Sequence, residues 1–316
     1  MITVLNPGLF TTVQDEGRFG YQAYGMPVAG AMDGYAYAVA NILAGNGAGA
    51  AALEMTIMGG SFQFEADAFA AICGADMGAS LNGVPVQNWS GFNVPAGSHL
   101  TFGPAVKGCR AYLAVRGGID VPVVMGSRST YVRGRLGGYG GRPLDKGDII
   151  RTLPGSGPDP VSFRLPGGFI PRYGSRLDLR VITGPQDDHF TPAALKTLFS
   201  GRYVISPHWD RMGCRLEGPP LAHRAGADIV SDAISPGAIQ VPGNGLPIIL
   251  TADRQTTGGY PKIGTVIGGD LSPLAQMKPG DEIFFRSCTG DEAVAALKER
   301  KHTLEKIRCL VLSGNS

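Results

Sequence analysis

The ten residues from Asp253 to Lys262 carry a carboxylate (Asp253), a guanidinium (Arg254), an amide (Gln255), two hydroxyls (Thr256, Thr257), a phenol (Tyr260) and an ammonium (Lys262). Opening an unactivated amide requires an electrophilic carbonyl and a stabilised oxyanion. The cations Arg254 and Lys262 and the side-chain amides of Gln255 and Asn244 are suited to both tasks. Asp253 can act as a base if its loop is partly buried, because desolvation raises a carboxylate pKa toward the working range. Gly258 and Gly259 let the backbone approach a ligand closely. The set suits a small polar amide or anion. The same residues also suit a hydrogen-bonded turn that satisfies only its own polar groups.

A second polar loop, 126–130, offers Arg128, Ser129 and Thr130, and with Arg133, Arg135 and Arg142 it brings four arginines close in sequence. Guanidinium forks clamp carboxylate or phosphate in two-point fashion, and a solvated loop is the competing reading. Gln240 and Asn244 sit in a turn beside the run that feeds the Asp253 loop, while Asp210 and Arg211 precede a glycine turn. The candidate catalytic residues are therefore Asp253, Lys262 and Arg254. The binding candidates are Gln255, Thr256, Thr257, Tyr260, Gln240, Asn244, Arg128, Ser129, Thr130, Asp210 and Arg211. No metal site is expected, since His208 and His223 flank Asp210 at a spacing that matches no recognised ligand set.

These loops must be held by strands. Ile248, Ile249 and Leu250 form a continuous apolar run suited to a strand covered on both faces. Residues 176–181 alternate, with Leu177, Leu179 and Val181 on one face, and residues 109–116 alternate similarly. Helices are few: Asp33 caps one running to Leu43, Thr191 caps another with Pro192 in its first turn, and Thr289 with Glu292 forms a capping box opening a third toward Leu310. An internal repeat links the two loops. Arg18, Gly20, Gly25 and Pro27 recur at one offset as Arg211, Gly213, Gly218 and Pro220, and the run Val121 to Met125 followed by Arg128 is echoed by Leu246 to Leu250 followed by Arg254. The expected organisation is mainly β with few helices: a first domain over 1–153 with an inserted segment near 34–105, a second over 161–286, and a C-terminal helix over 287–316. The Pro- and Gly-rich stretch 154–160 is the expected linker.

Composition narrows the function classes. A length of 316 residues fits two domains, and 48 glycines with only 17% charged residues favour turns and strands. A net charge of +2 gives no field to steer toward nucleic acid. The five cysteines are scattered and never form a C-x-x-C pair, which fits a reducing compartment. No secretory leader pattern and no long uncharged apolar run occur, so a cytoplasmic chain with no membrane span is expected. No Gly-Lys dipeptide, G-x-S-x-G or H-E-x-x-H is present.

The strings Thr12-Val13-Gln14-Asp15-Glu16-Gly17-Arg18, Gly30-Ala31-Met32-Asp33, Arg110-Ala111-Tyr112-Leu113-Ala114-Val115 and Gly117-Gly118-Ile119-Asp120-Val121-Pro122 carry a family resemblance. So do 126–130 and 252–262. Over roughly residues 2–286 the chain resembles the family of the 5-oxoprolinase C subunit, also known from allophanate hydrolase, a biotin-dependent carboxyltransferase family. Cys214 and Gly264 depart from that pattern, where an aromatic residue and alanine are usual. The resemblance implies two related cyclophilin-like β-barrel domains and partners homologous to the B and A subunits of 5-oxoprolinase. It implies an ATP-dependent hydrolysis of 5-oxoproline to glutamate by the assembly, with ATP used by the complex and not held by this chain alone. The alternatives are a carboxyltransferase or allophanate-hydrolase-type subunit of urea degradation, for which biotin would have to come on other chains, and a non-catalytic metabolite-binding regulatory subunit.

Overall fold

The computed structural model describes residues 1–157 and 159–313. Pro158 of the expected linker and positions 314–316 of the expected helix lie outside the described residues. The protein is mainly β with few helices, as its glycine content and alternating runs imply.

Two units divide the chain. The first comprises Met1–Arg18, Ala29–Tyr173 and the chain from Lys301 on. It contains two antiparallel sheets. One has seven strands in the order Ile119–Asp120, Ile149–Thr152, Ile2–Asn6, Ser61–Phe64, His99–Thr101, Ser80–Leu81 and Val84–Pro85. The other has six, ordered Phe163–Arg164, Ser90–Val94, Ala68–Asp76, Lys107–Val115, Ala52–Thr56 and Thr11–Gln14. Val4, Phe62 and Leu100 of the first sheet meet Leu53, Ile72 and Leu113 of the second in one core. The six-stranded sheet is buried on its other face too. There Ala71, Cys73, Tyr112 and Ala114 pack with Val39 and Leu43 of the helix Gly34–Leu43 and with Ile307 and Val311 near the chain end. This double burial explains why Lys107–Val115 is buried at nearly every position and does not alternate between core and solvent.

The second unit comprises Phe19–Val28 and Gly174–Arg300. Its strands close a barrel in the order Arg176–Thr183, Lys262–Val266, Ala238–Gln240, Ile248–Leu250, Gly213–Glu217, Tyr203–Trp209 and Glu282–Ser287. The last strand returns to the first in parallel, pairing Arg176 with Glu282 through Val181 with Ser287. Leu179, Ile239, Ile249, Ile263 and Phe285 fill the interior. A small ladder pairs Asp232–Ala233 with Thr257–Gly258.

Three local expectations hold in detail. Asp33 accepts from the amides of Tyr35 and Ala36, Thr191 accepts from Ala194, and Thr289 and Glu292 exchange the two bonds of a capping box. Domain boundaries differ from those read in sequence. The division falls after Tyr173 and not across 154–160, residues 19–28 group with the second unit, and the last helix, Gly290–Ser313, is shared between the units. Seven strands of the two sheets come from 34–105, and with them most of the first core.

Candidate active site

The loop that leaves Ile248–Leu250 is pinned to the 210–213 turn. Asp210 Oδ1 accepts from the amides of Met212 and Gly213, which fixes the turn and presents Arg211. The Arg211 guanidinium then clamps Asp253, with Nε donating to Oδ2 at 3.0 Å and Nη2 to Oδ1 at 2.9 Å. Backbone bonds lock the same pair, since Asp253 N and Thr251 Oγ1 both donate to Arg211 O. Both side chains are buried, at 6% and 7% exposure. Both Asp253 oxygens therefore accept from one guanidinium in a buried, two-point ion pair.

Arg254 is similarly committed. Its Nε donates to Ile234 O and its Nη1 to Thr251 O, each at 3.2 Å, and burial pushes its guanidinium pKa down. It holds two backbone segments together.

Lys262 opens the strand Lys262–Val266 and is buried at 2% exposure. Its Nζ donates to Asp232 Oδ2 at 2.6 Å and to Ala233 O at 2.9 Å. An ammonium has three N–H groups, so one remains for a further acceptor. Gln186 bridges this cluster, accepting from Lys262 N at 3.1 Å and donating to Asp232 Oδ2 at 3.0 Å. The Lys262 and Gln186 hydrogen bonds hold the Asp232 carboxyl down at about 2. Nearby, Gln240 Nε2 donates to Tyr260 O at 3.3 Å, while Gln255, Thr257 and Tyr260 are exposed and Thr256 is half-buried. The close approach at Gly258 is to protein: a Cβ there would lie 2.7 Å from Gln240 Nε2 and 2.8 Å from Ile234 Cδ1. Asn244 is exposed and its Oδ1 accepts from Leu246 N, which makes it a turn residue.

In the first unit, Arg128, Ser129 and Thr130 form a separate assembly. Asp15 accepts from Ser127 Oγ at 2.6 Å, from Arg128 N at 2.5 Å, from Ser129 Oγ and from Gly17 N. Arg18 Nη2 donates to Ser129 O at 2.8 Å, Arg128 Nε to Val121 O at 3.1 Å, and Thr130 Oγ1 to Val13 O at 2.9 Å. Ser129 and Thr130 are buried and Arg128 is half-buried, and Arg18 and Arg128 here hold the protein's own carbonyls. Asp15, Asp232 and Gln186 are the polar residues sequence reading passed over. Asp15 had a signal in its place ahead of the repeated Arg-x-Gly. Asp232 and Gln186 meet Lys262 only through the barrel and had none.

Chains with this barrel and this loop form a recognisable class. Residues 24–287 match the carboxyltransferase domain, subdomain A and B, and the chain belongs to that family. It is 38% identical over 309 residues to the C subunit of 5-oxoprolinase from Escherichia coli (strain K12), covering 97% of each chain. It is 36% identical over 305 residues to urea amidolyase of Lachancea kluyveri, a stretch that is 89% of this chain and 16% of that protein. Among solved structures, K. lactis urea amidolyase matches with a TM-score of 0.92 at 31% identity, over 97% of this chain and 20% of that one. The chain is thus homologous to the 5-oxoprolinase C subunit along its whole length, and it spans a fifth or less of the urea amidolyases.

Proposed function

We propose that this chain is the C subunit of a 5-oxoprolinase that hydrolyses 5-oxoproline to glutamate with homologues of the A and B subunits, the assembly consuming ATP. The observation that carries the reading is the end-to-end match: 97% of this chain aligns with 97% of a protein named as the C subunit of 5-oxoprolinase. Within the site, Lys262 is the group best placed for chemistry. Its remaining N–H can take the lactam carbonyl oxygen and stabilise the oxyanion that forms there. The exposed Gln255, Thr257 and Tyr260 can bind the rest of a small polar amide, while Asp253 and Arg254 act as positioning residues that keep the loop in register. ATP is read as the assembly's energy source, supplied with the partner subunits. A urea-directed carboxyltransferase is the second reading, favoured by the 0.92 TM-score to K. lactis urea amidolyase, and biotin would enter only there, on another chain.

The test is to purify the chain alone and with its A and B homologues and to measure 5-oxoproline-dependent ADP release. Activity is expected only in the assembly, and Lys262→Met should lower turnover there by ~10²-fold or more. Full activity from the isolated chain, or failure to associate with either partner, overturns the reading. Urea-dependent release with a biotin-bearing partner would favour the second.

A further inference from the structure

A cavity of about 490 Å3 opens in the first unit, walled in part by Asp120, Val121, Pro122, Tyr139, Gly140 and Arg151. Asp120 and Arg151 are register partners on the antiparallel strands Ile119–Asp120 and Ile149–Thr152. Directly opposed residues share a face with Cβ atoms ~4.5–5.5 Å apart, close enough for an ion pair. Yet among the described residues neither side chain makes an ion pair or a hydrogen bond. Nearby charges do pair: Arg142 holds Asp148 through two bonds of 2.7 and 2.8 Å and lies 5.1 Å from the Tyr139 ring centroid. Tyr139 packs against the core, and Gly138 N and Gly141 N are bonded to Arg128 O and Gly137 O, which fixes the loop. Between them, the amides of Tyr139 and Gly140 donate to no described group.

We propose that this cavity binds a free α-amino acid as its zwitterion, the carboxylate on Arg151 and the ammonium on Asp120. A simple anion would satisfy Arg151 but face Asp120, and a simple cation would face Arg151. A ligand carrying both charges a few ångströms apart can engage Asp120 and Arg151 at once, which neither simple ion can do. The amides of Tyr139 and Gly140 are spare donors for the carboxylate, and Val121, Pro122 and the Tyr139 ring give an apolar wall for the side chain. The volume lies within the ~300–1,000 Å3 of small-molecule sites. This site goes beyond the function proposed above, lies in the other unit and uses none of the Lys262 loop.

The experiment is calorimetric titration of the full chain with L-phenylalanine, with N-acetyl-L-phenylalanine, acetate and methylammonium as partial ligands. Phenylalanine should bind saturably with a Kd of about 1 mM or tighter, and each partial ligand at least ~10-fold more weakly. Arg151→Gln and Asp120→Asn should each weaken phenylalanine by ~10-fold or more without changing thermal unfolding, since both side chains are exposed. No saturable binding at about 10 mM overturns the proposal. So does acetate binding as tightly as the amino acid, or binding that both variants leave unchanged.

Discussion

In the first unit the 15–18 turn supplies a carboxylate, Asp15, and the 126–130 loop answers with hydroxyls and an amide; in the second, the 210–213 turn supplies a guanidinium, Arg211, and the 251–262 loop answers with a carboxylate. The same join between turn and loop is made with opposite charge. Hydroxyls and a backbone amide meet the first carboxylate while the buried Arg18 guanidinium holds Ser129 O, so the first loop closes on itself. The second loop balances a buried cation with a buried anion and then runs on through exposed polar residues to a second buried cation, Lys262. A charged clamp is costly to break and holds a longer excursion in place, which suits the loop from which function is proposed.

Breaking the two clamps should separate them by size. Asp253→Ala removes the carboxylate that meets the buried Arg211 guanidinium at two points and should destabilise the chain by about 3–5 kcal/mol in denaturant unfolding. Replacing both partners with apolar residues, Arg211→Met with Asp253→Leu, should recover most of that loss, because the desolvation penalty goes with the charges. A single variant within ~1 kcal/mol of wild type would show that the pair is not the clamp described. Asp15→Ala removes an acceptor from neutral donors that can partly reorient, and should cost about 1–3 kcal/mol in the same assay. If it costs more than Asp253→Ala, the contrast drawn between the loops is wrong.

The smallest effect concerns protons. Because Asp232 is held down at about 2 by Lys262 and Gln186, its folded value lies below the ordinary ~3.9 of an unfolded aspartate. A lowered carboxylate contributes stability that is fully present above the unfolded value and is lost as pH falls from ~4 through about 2. Carboxyl NMR titration should find the Asp232 midpoint near 2 and see it rise in Lys262→Met. An ordinary midpoint in the wild-type chain would remove Asp232 from the Lys262 cluster.

Sequence made the caps and single strands legible because their causes are local. Thr191, Thr289 and Asp33 each bond within three residues, and Ile248–Leu250 declares itself by its own apolar run. The loop 251–262 was legible as a polar cluster for the same reason. What it touches was not. Lys262 finds Asp232 from 30 positions away and Gln186 from 76, and Asp253 finds Arg211 from 42, contacts set by how the barrel, its loops and the small 232–233 ladder come together. Whether Asp253 is a base or a counter-ion depends wholly on such a contact. The strands of 34–105 likewise interleave with flanking ones, an ordering no linear pattern announces.

Pairing between distant segments also sets when each part can be completed as the chain is made. The strand Ile2–Asn6 must wait for Ile149–Thr152, and the outer layer of the same unit waits for Ile307 and Val311. At ~5–20 residues per second, that second wait adds roughly 8–30 s, during which Ala71, Cys73 and their neighbours lack part of their cover. The barrel cannot close until Glu282–Ser287 reaches Arg176–Thr183, so the unit begun first is finished last. Chains ending between residues 290 and 300 and released from the ribosome should therefore hold a closable barrel beside an N-terminal unit still open to chaperones and proteases.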